Sequence, residues 1–181
     1  MRFEPVKPEH VPAVDRFNKR LSDGGWRQSF SPDLASFFPE AGHSLYGEKF
    51  VLMDKGDEMR AGYCLKHQQF KNGDVLYDIG NIQLPISEGI VNNKYASMGP
   101  AIVLDALKRT ELAYSLGMGG MHMPYPKLLR AFNWDMHSVP FFFKVIHPYR
   151  FCRRIKLLRS RKTTRWLLDF LAFTGLGAAG V

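Results

Sequence analysis

The chain has 181 residues, 45% of them hydrophobic, which suffices for one domain with its own core and is too short for two large ones. Its two cysteines, Cys64 and Cys152, lie far apart and form neither a disulfide framework nor a CxxC metal pattern, so a reduced, intracellular setting is expected. The N-terminal MRFEPVKPEH lacks the apolar stretch of a signal peptide, and the formal net charge is +8.

In chain order, RFEPV alternates as a short strand does. PEHVPAVDRFNKRLSDGG follows with Val11, Val14, Phe17 and Leu21 at helical spacing before the Gly24-Gly25 stop, predicting an amphipathic helix. SPDLASFF, with Ser31 at the cap and Pro32 at the first helical position, predicts a second short helix. Residues 39 to 48 read as loop.

The middle is β-rich. KGDE and KNGD supply turn chemistry between extended runs, predicting antiparallel strands over about 49–55, 59–70 and 75–91. Pro85 and Gly89 interrupt the last run, so a bulge or a splayed strand end is expected there. Splaying would open a slot between neighbouring strands.

PAIVLDALKRTELAYSLG, after Gly99, is too apolar for a surface helix and suits one packed on a sheet, with Gly117 as its stop. GGMHMPY reads as a short buried strand, YPKLLRAFNW as a helix and HSVPFFFKVI as a strand. There is no internal repeat.

The joint VNNKYASMGPA carries the functional signal. A glycine at a helix start lets another molecule approach N–H groups that have no partner inside the helix, and those groups favour anions. With the order β, α, α, β, β, β, α, β, α, β over about residues 1 to 145, this joint resembles the GNAT N-acetyltransferase superfamily. In that family the fourth strand runs into a helix through a pattern close to V-x-P-E-Y-R-G-x-G-x-G/A. Val91, Tyr95, Gly99 and Ala101 fall in register with it. Ala96 stands where Arg or Gln is usual, Ser97 replaces the first glycine, and Pro100 removes one N–H donor.

The resemblance implies a mixed α/β (α+β) fold: a mostly antiparallel sheet flanked by helices, with a splayed fourth and fifth strand pair. It also implies that Ile90, Val91, Ala96, Ser97, Met98, Gly99 and Ala101 bind the co-substrate, acetyl-CoA or another acyl-CoA. The implied reaction is direct transfer of the acyl group to an amine of a small molecule. A backbone N–H on the splayed strand steadies the oxyanion and a base takes the amine proton. The family's thiolate-protonating tyrosine aligns with Leu129, which has no proton to give, and Tyr125 or Tyr95 nearby could substitute. Glu88, at the expected splayed strand end, is the first candidate base, and His122, a residue type suited to proton transfer, is the second. Trp26, Arg27, Phe37 and Phe38 fall in the region where such proteins build an acceptor pocket. No His, Cys or carboxylate cluster has metal-ligand spacing, so no metal is expected.

The charge is concentrated. Residues 150 to 165, RFCRRIKLLRSRKTTR, hold eight of the 25 Lys and Arg and no acid, leaving 17 basic against 17 acidic residues elsewhere. Such a run suits an acidic acyl carrier protein, in which case the acyl chain would be long, or an anionic membrane surface. Nucleic acid ranks below these, because no helix-turn-helix, zinc or aromatic-glycine RNA signature accompanies the charge. WLLDFLAFTGLGAAGV, which follows, is 16 residues long and interrupted by Asp169, short of the ~20 needed to span a bilayer. The expected organisation is a GNAT-like domain over 1–149 and a basic segment with an apolar C-terminal helix over 150–181. The expected setting is the cytoplasm, with attachment to a membrane surface as an option, and homodimers are frequent among proteins this one resembles. A module that keeps the fold without catalysis is the third reading of Ala96, Pro100 and Leu129.

Overall fold

A computed structural model gives the architecture. It describes residues 1–31 and 45–140, and beyond these Phe142, Phe151, Thr163, Trp166, Asp169 and Phe170. The chain divides into two compact units, Met1–Met136 and His137–Val181. The expected helix over 31–38 falls outside the described residues apart from Ser31; of the expected strand over 137–146, residues 141 and 143–146 lie outside them and the described ones are not in a strand.

The first unit contains β1 (Arg2–Pro5), α1 (Val11–Asp23), β2 (Leu45–Met53), β3 (Met59–Asn72), β4 (Val75–Ser87), α2 (Met98–Leu107), β5 (Leu112–Tyr114) and α3 (Pro124–Ala131). The strands form one sheet in the order β1-β2-β3-β4-β5; the first three pairings are antiparallel and β4–β5 is parallel. This is the mixed, mostly antiparallel α+β arrangement expected. The helices divide between the faces. Ala13, Val14, Phe17 and Leu21 of α1 pack with Val51, Cys64 and Ile86, whereas Ile102 and Ala106 of α2 pack with Phe3, Phe50, Tyr63, Leu65 and Ile82. Alternate side chains of each strand therefore feed two separate apolar layers.

Local chemistry explains the joints. The β3–β4 hairpin closes through Gly73 at φ 60°, a conformation that costs glycine nothing. Opposite Tyr63 the ladder slips, since Gly62 pairs with Ile86 but Cys64 with Gln83, so β4 carries an extra residue at Leu84–Pro85. Leu84 adopts φ 47° and is 55% exposed, a strained position that a bulge beside proline creates. The bulge expected from Pro85 is present.

Several boundaries differ from those the sequence predicts. Residues 45–48 are the start of β2 rather than loop, because they pair with Leu65–Gln68. The expected strand 75–91 ends at Ser87, and 3-10 turns at Glu88–Ile90 and Asn93–Tyr95 follow. The helix beginning near Gly99 stops at Leu107, not Gly117; Leu112–Tyr114 instead pair with Ile79–Asn81 of β4. GGMHMPY is not a strand: its last two residues open α3 and the rest is loop and turn. The short parallel strand begins at Leu112, seven residues upstream of the expected start at Gly119.

Candidate functional site

The β4–β5 ladder ends at Asn81 and Tyr114. Beyond it β4 runs on to Ser87 with no strand partner on that edge among the described residues, while the chain after Tyr114 departs; Ser115 Oγ donates to the Ile82 carbonyl at 2.7 Å. The two strands are thus splayed. The space they leave is a slot of about 230 Å³, bounded by Pro85 and Ser87 of β4, Gly89 and Ile90 of the turn, Ala96, Gly99, Pro100 and Ile102 at the start of α2, and Pro124, Tyr125 and Leu128 of α3.

The slot is apolar apart from two hydroxyls, of Ser87 and Tyr125, and the backbone amides of the α2 start. Ser97 is the N-cap of α2 and its side chain makes no capping bond, so the first-turn N–H groups depend on another partner. At Gly99 a Cβ would meet only Leu128 Cδ2 at 3.6 Å and Ser87 Oγ at 3.8 Å, ordinary contacts. Its lack of a side chain keeps the mouth of the slot open rather than relieving a clash.

Of the seven residues expected to hold the co-substrate, Ile90, Ala96 and Gly99 line the slot. Val91 turns to the α1 side, where its Cβ would lie 2.5 Å from a Cβ added to Gly24. Met98 and Ala101 pack on the α2-side core and border a second groove, and Ser97 contributes backbone only at the cap.

The three candidate catalytic residues have three different environments. Tyr125 lines the slot; its hydroxyl is buried with Ser115 as its polar neighbour, and burial pushes its pKa up, with Ser115 opposing this to a smaller degree. His122 is exposed in the turn before α3, with its ring folded back toward Gly120, and is not part of the slot's lining. Glu88 is only 4% exposed, and its Oε2 accepts from Arg60 Nη1 at 2.8 Å and from Arg20 Nε at 3.2 Å.

Glu88 belongs to a chain of charges that sequence reasoning missed. Arg16 and Arg20 on α1 both donate to Glu58, at 2.7 and 2.5 Å, and Arg20 also donates to the Met59 carbonyl at 2.7 Å. Arg60 donates to Asp54 at 2.8 Å as well as to Glu88, and its guanidinium lies 4.5 Å from the centre of the Tyr95 ring. Helix α1, the β2–β3 turn, the end of β4 and the turn before α2 are therefore tied together under the slot. Arg60 holds Asp54 below the usual carboxylate range. Burial works against ionisation of Glu58, yet Arg16 and Arg20 outweigh it and lower its pKa too. The one free cysteine among the described residues, Cys64, is buried, and burial pushes its thiol up to about 11, so it is no nucleophile. No group of His, Cys, Asp or Glu among the described residues could hold a metal.

Across the α2-side face, Tyr63 donates to Asp105 at 2.6 Å, and Asp105 accepts from Arg109 at 2.8 Å. This second network fixes α2 to the sheet and hence fixes the position of its first turn.

No family model and no curated protein matches the chain. Solved structures share its fold. A tetramutant of the BH1408 protein from Bacillus halodurans matches with TM-score 0.57 at 9% identity, over 80% of this chain and 100% of that one. An acetyltransferase of Trypanosoma brucei matches with TM-score 0.53 at 13% identity, over 80% and 99%. The likeness is one of fold, the mixed and mostly antiparallel sheet flanked by helices described above.

Proposed function

We propose that the protein is an acyl-CoA-dependent N-acyltransferase that moves an acetyl or other acyl group to an amine of a small molecule. The observation that carries this reading is the slot itself: a strand edge unpaired among the described residues, an uncapped helix start and a buried phenol face one apolar space. A thioester with a pyrophosphate needs those three environments together. That a solved structure sharing the fold is an acetyltransferase supports the same reading.

In this account the N–H groups around Ser97–Gly99 and the α2 dipole hold the pyrophosphate, with one donor fewer because Pro100 has no N–H. The open edge of β4 offers backbone N–H groups to the thioester carbonyl and to the oxyanion that forms as the amine attacks. Tyr125 gives its proton to the departing thiolate; its raised pKa keeps it protonated until that step. Glu88 acts as an anchor: with Arg20 and Arg60 on one oxygen, it fixes the turn beside the slot. Holding amine and thioester in contact supplies much of the acceleration, and the amine proton passes to water.

Thiol release from acetyl-CoA, followed against a panel of amines and amino sugars, tests the proposal. It requires amine-dependent release that falls in Tyr125→Phe. Saturable binding of the thioester without release under any amine would replace it with the reading of a binding module.

A further inference from the structure

The second unit presents a feature that the acyltransferase reading does not use. Among its described residues, Thr163, Trp166, Asp169 and Phe170 are helical, and Trp166 and Phe170, four positions apart, stack at 5.8 Å between ring centroids with 16° between planes. The pair is exposed: Trp166 to 70% and Phe170 to 46%. Exposing one large aromatic is ordinary; stacking two on one helical face makes an apolar patch that water penalises.

Immediately before this pair stand eight Lys and Arg without an acid, in residues 150–165. The whole excess charge of the chain is therefore next to its exposed aromatic pair. We infer that residues 150–170 dock on an anionic lipid surface, with the basic residues at the headgroups and the Trp166–Phe170 pair entering the interface.

The chemistry of both parts fits a bilayer interface. Each Lys or Arg near an anionic leaflet raises partitioning roughly fivefold and loses that effect as salt screens it. Tryptophan favours the headgroup level, where its ring is buried and its indole N–H stays hydrated. No helix among the described residues is long and apolar enough to cross a membrane, and the apolar run from Trp166 has 16 residues, so the segment would lie on the surface. An acidic carrier protein would satisfy the charges, but it gives no reason for a stacked aromatic pair beside them.

The test uses the full chain with vesicles of phosphatidylcholine, with and without phosphatidylglycerol. Co-sedimentation should occur only with the anionic vesicles and be lost in high salt, and lipid brominated in the upper acyl chain should quench tryptophan emission. The quadruple variant Arg159→Gln, Arg161→Gln, Lys162→Gln, Arg165→Gln should bind at least ~100-fold more weakly, as four lost basic residues imply. Trp166→Phe should keep binding but lose the quenching. Unfolding temperatures of the variants check that each remains folded. Absence of sedimentation with anionic vesicles would overturn the inference, as would undiminished binding by the quadruple variant. Binding of an acidic acyl carrier protein in place of vesicles would overturn it as well. Because none of these readouts involves thioester or acyl transfer, failure here leaves the acyltransferase reading standing.

Discussion

Gly89 and Tyr95 approach so closely that a Cβ on Gly89 would stand 2.5 Å from the Tyr95 carbonyl oxygen and 3.0 Å from its carbonyl carbon. The obstacle is backbone and cannot rotate away. Gly89→Ala should therefore push apart the two 3-10 turns that border the slot, at a cost of about 1–3 kcal/mol. Calorimetry should find a lowered Tm together with weakened acyl-CoA binding. A variant with unchanged Tm and binding would show that the turns do not hold the slot's shape. Gly99→Ala is the matched control, since its Cβ meets nothing closer than 3.6 Å, and its Tm should stay near that of the unmodified protein.

Tyr125→Phe removes a buried hydroxyl whose polar neighbour, Ser115, keeps its own bond to the Ile82 carbonyl. Little hydrogen bonding is lost, so the variant should be about as stable as the parent. Its kcat should fall roughly 10- to 100-fold with KM nearly unchanged, the signature of a proton supplied only in the transition state. The sign of the pH effect follows from burial. A raised pKa keeps the phenol protonated beyond its ordinary value of 10.0, so kcat should show no alkaline fall from Tyr125 between neutral pH and that value. An alkaline limb below it that Tyr125→Phe removes would contradict this.

Glu88→Gln separates an anchor from a base. The substitution leaves Arg20 and Arg60 facing a neutral amide while Arg20 keeps Glu58 and Arg60 keeps Asp54, so the loss is that of charge-assisted hydrogen bonds, about 1.5–3 kcal/mol. A large drop in stability, with activity per folded molecule changed only a few-fold, is the expected result. Lost turnover with an unchanged Tm would assign Glu88 the base's role.

Asp54 and Glu58 predict how stability depends on acid. Both have folded-state pKa values below their ordinary 3.8 and 4.5, so their contribution is complete above those ordinary values and is lost as pH falls from them through the lower folded-state values. Tm should be flat near neutrality and drop below about pH 4.5. Glu58→Gln should lower Tm at neutral pH and flatten the acid slope. Parallel Tm curves for parent and variant would exclude the Glu58 pairs from that slope.

Legibility in the sequence followed the range of the interactions. Turn chemistry at Lys55–Glu58 and Lys71–Asp74 is local, and both hairpins stand where it puts them. Pro85 announced the bulge, and of the seven residues read as binding the co-substrate Ile90, Ala96 and Gly99 line the slot. Strand β5 was missed because Leu112–Tyr114 offers three residues of pattern, too few to outweigh the apolar helix ahead of it; pairing with Ile79–Asn81 decides its state. The anchoring of Glu88 was also illegible, since Arg20 is 68 positions away and Arg60 is 28. A carboxylate at a strand end reads as a free base until those guanidiniums are seen beside it. The exposed position of His122 likewise became visible only once GGMHMPY proved to be a turn leading into α3 rather than a strand.

The central claim is that the slot between β4 and α3 receives the thioester with its pyrophosphate at the start of α2. Isothermal titration of the full chain with acetyl-CoA, alongside Gly99→Trp, tests it most directly. An indole at position 99 would fill the mouth against Leu128 and Ser87. The account predicts saturable, near-stoichiometric binding by the parent and none by a Gly99→Trp variant that still unfolds cooperatively. Binding that survives Gly99→Trp, or no binding by the parent at any attainable concentration, would contradict it.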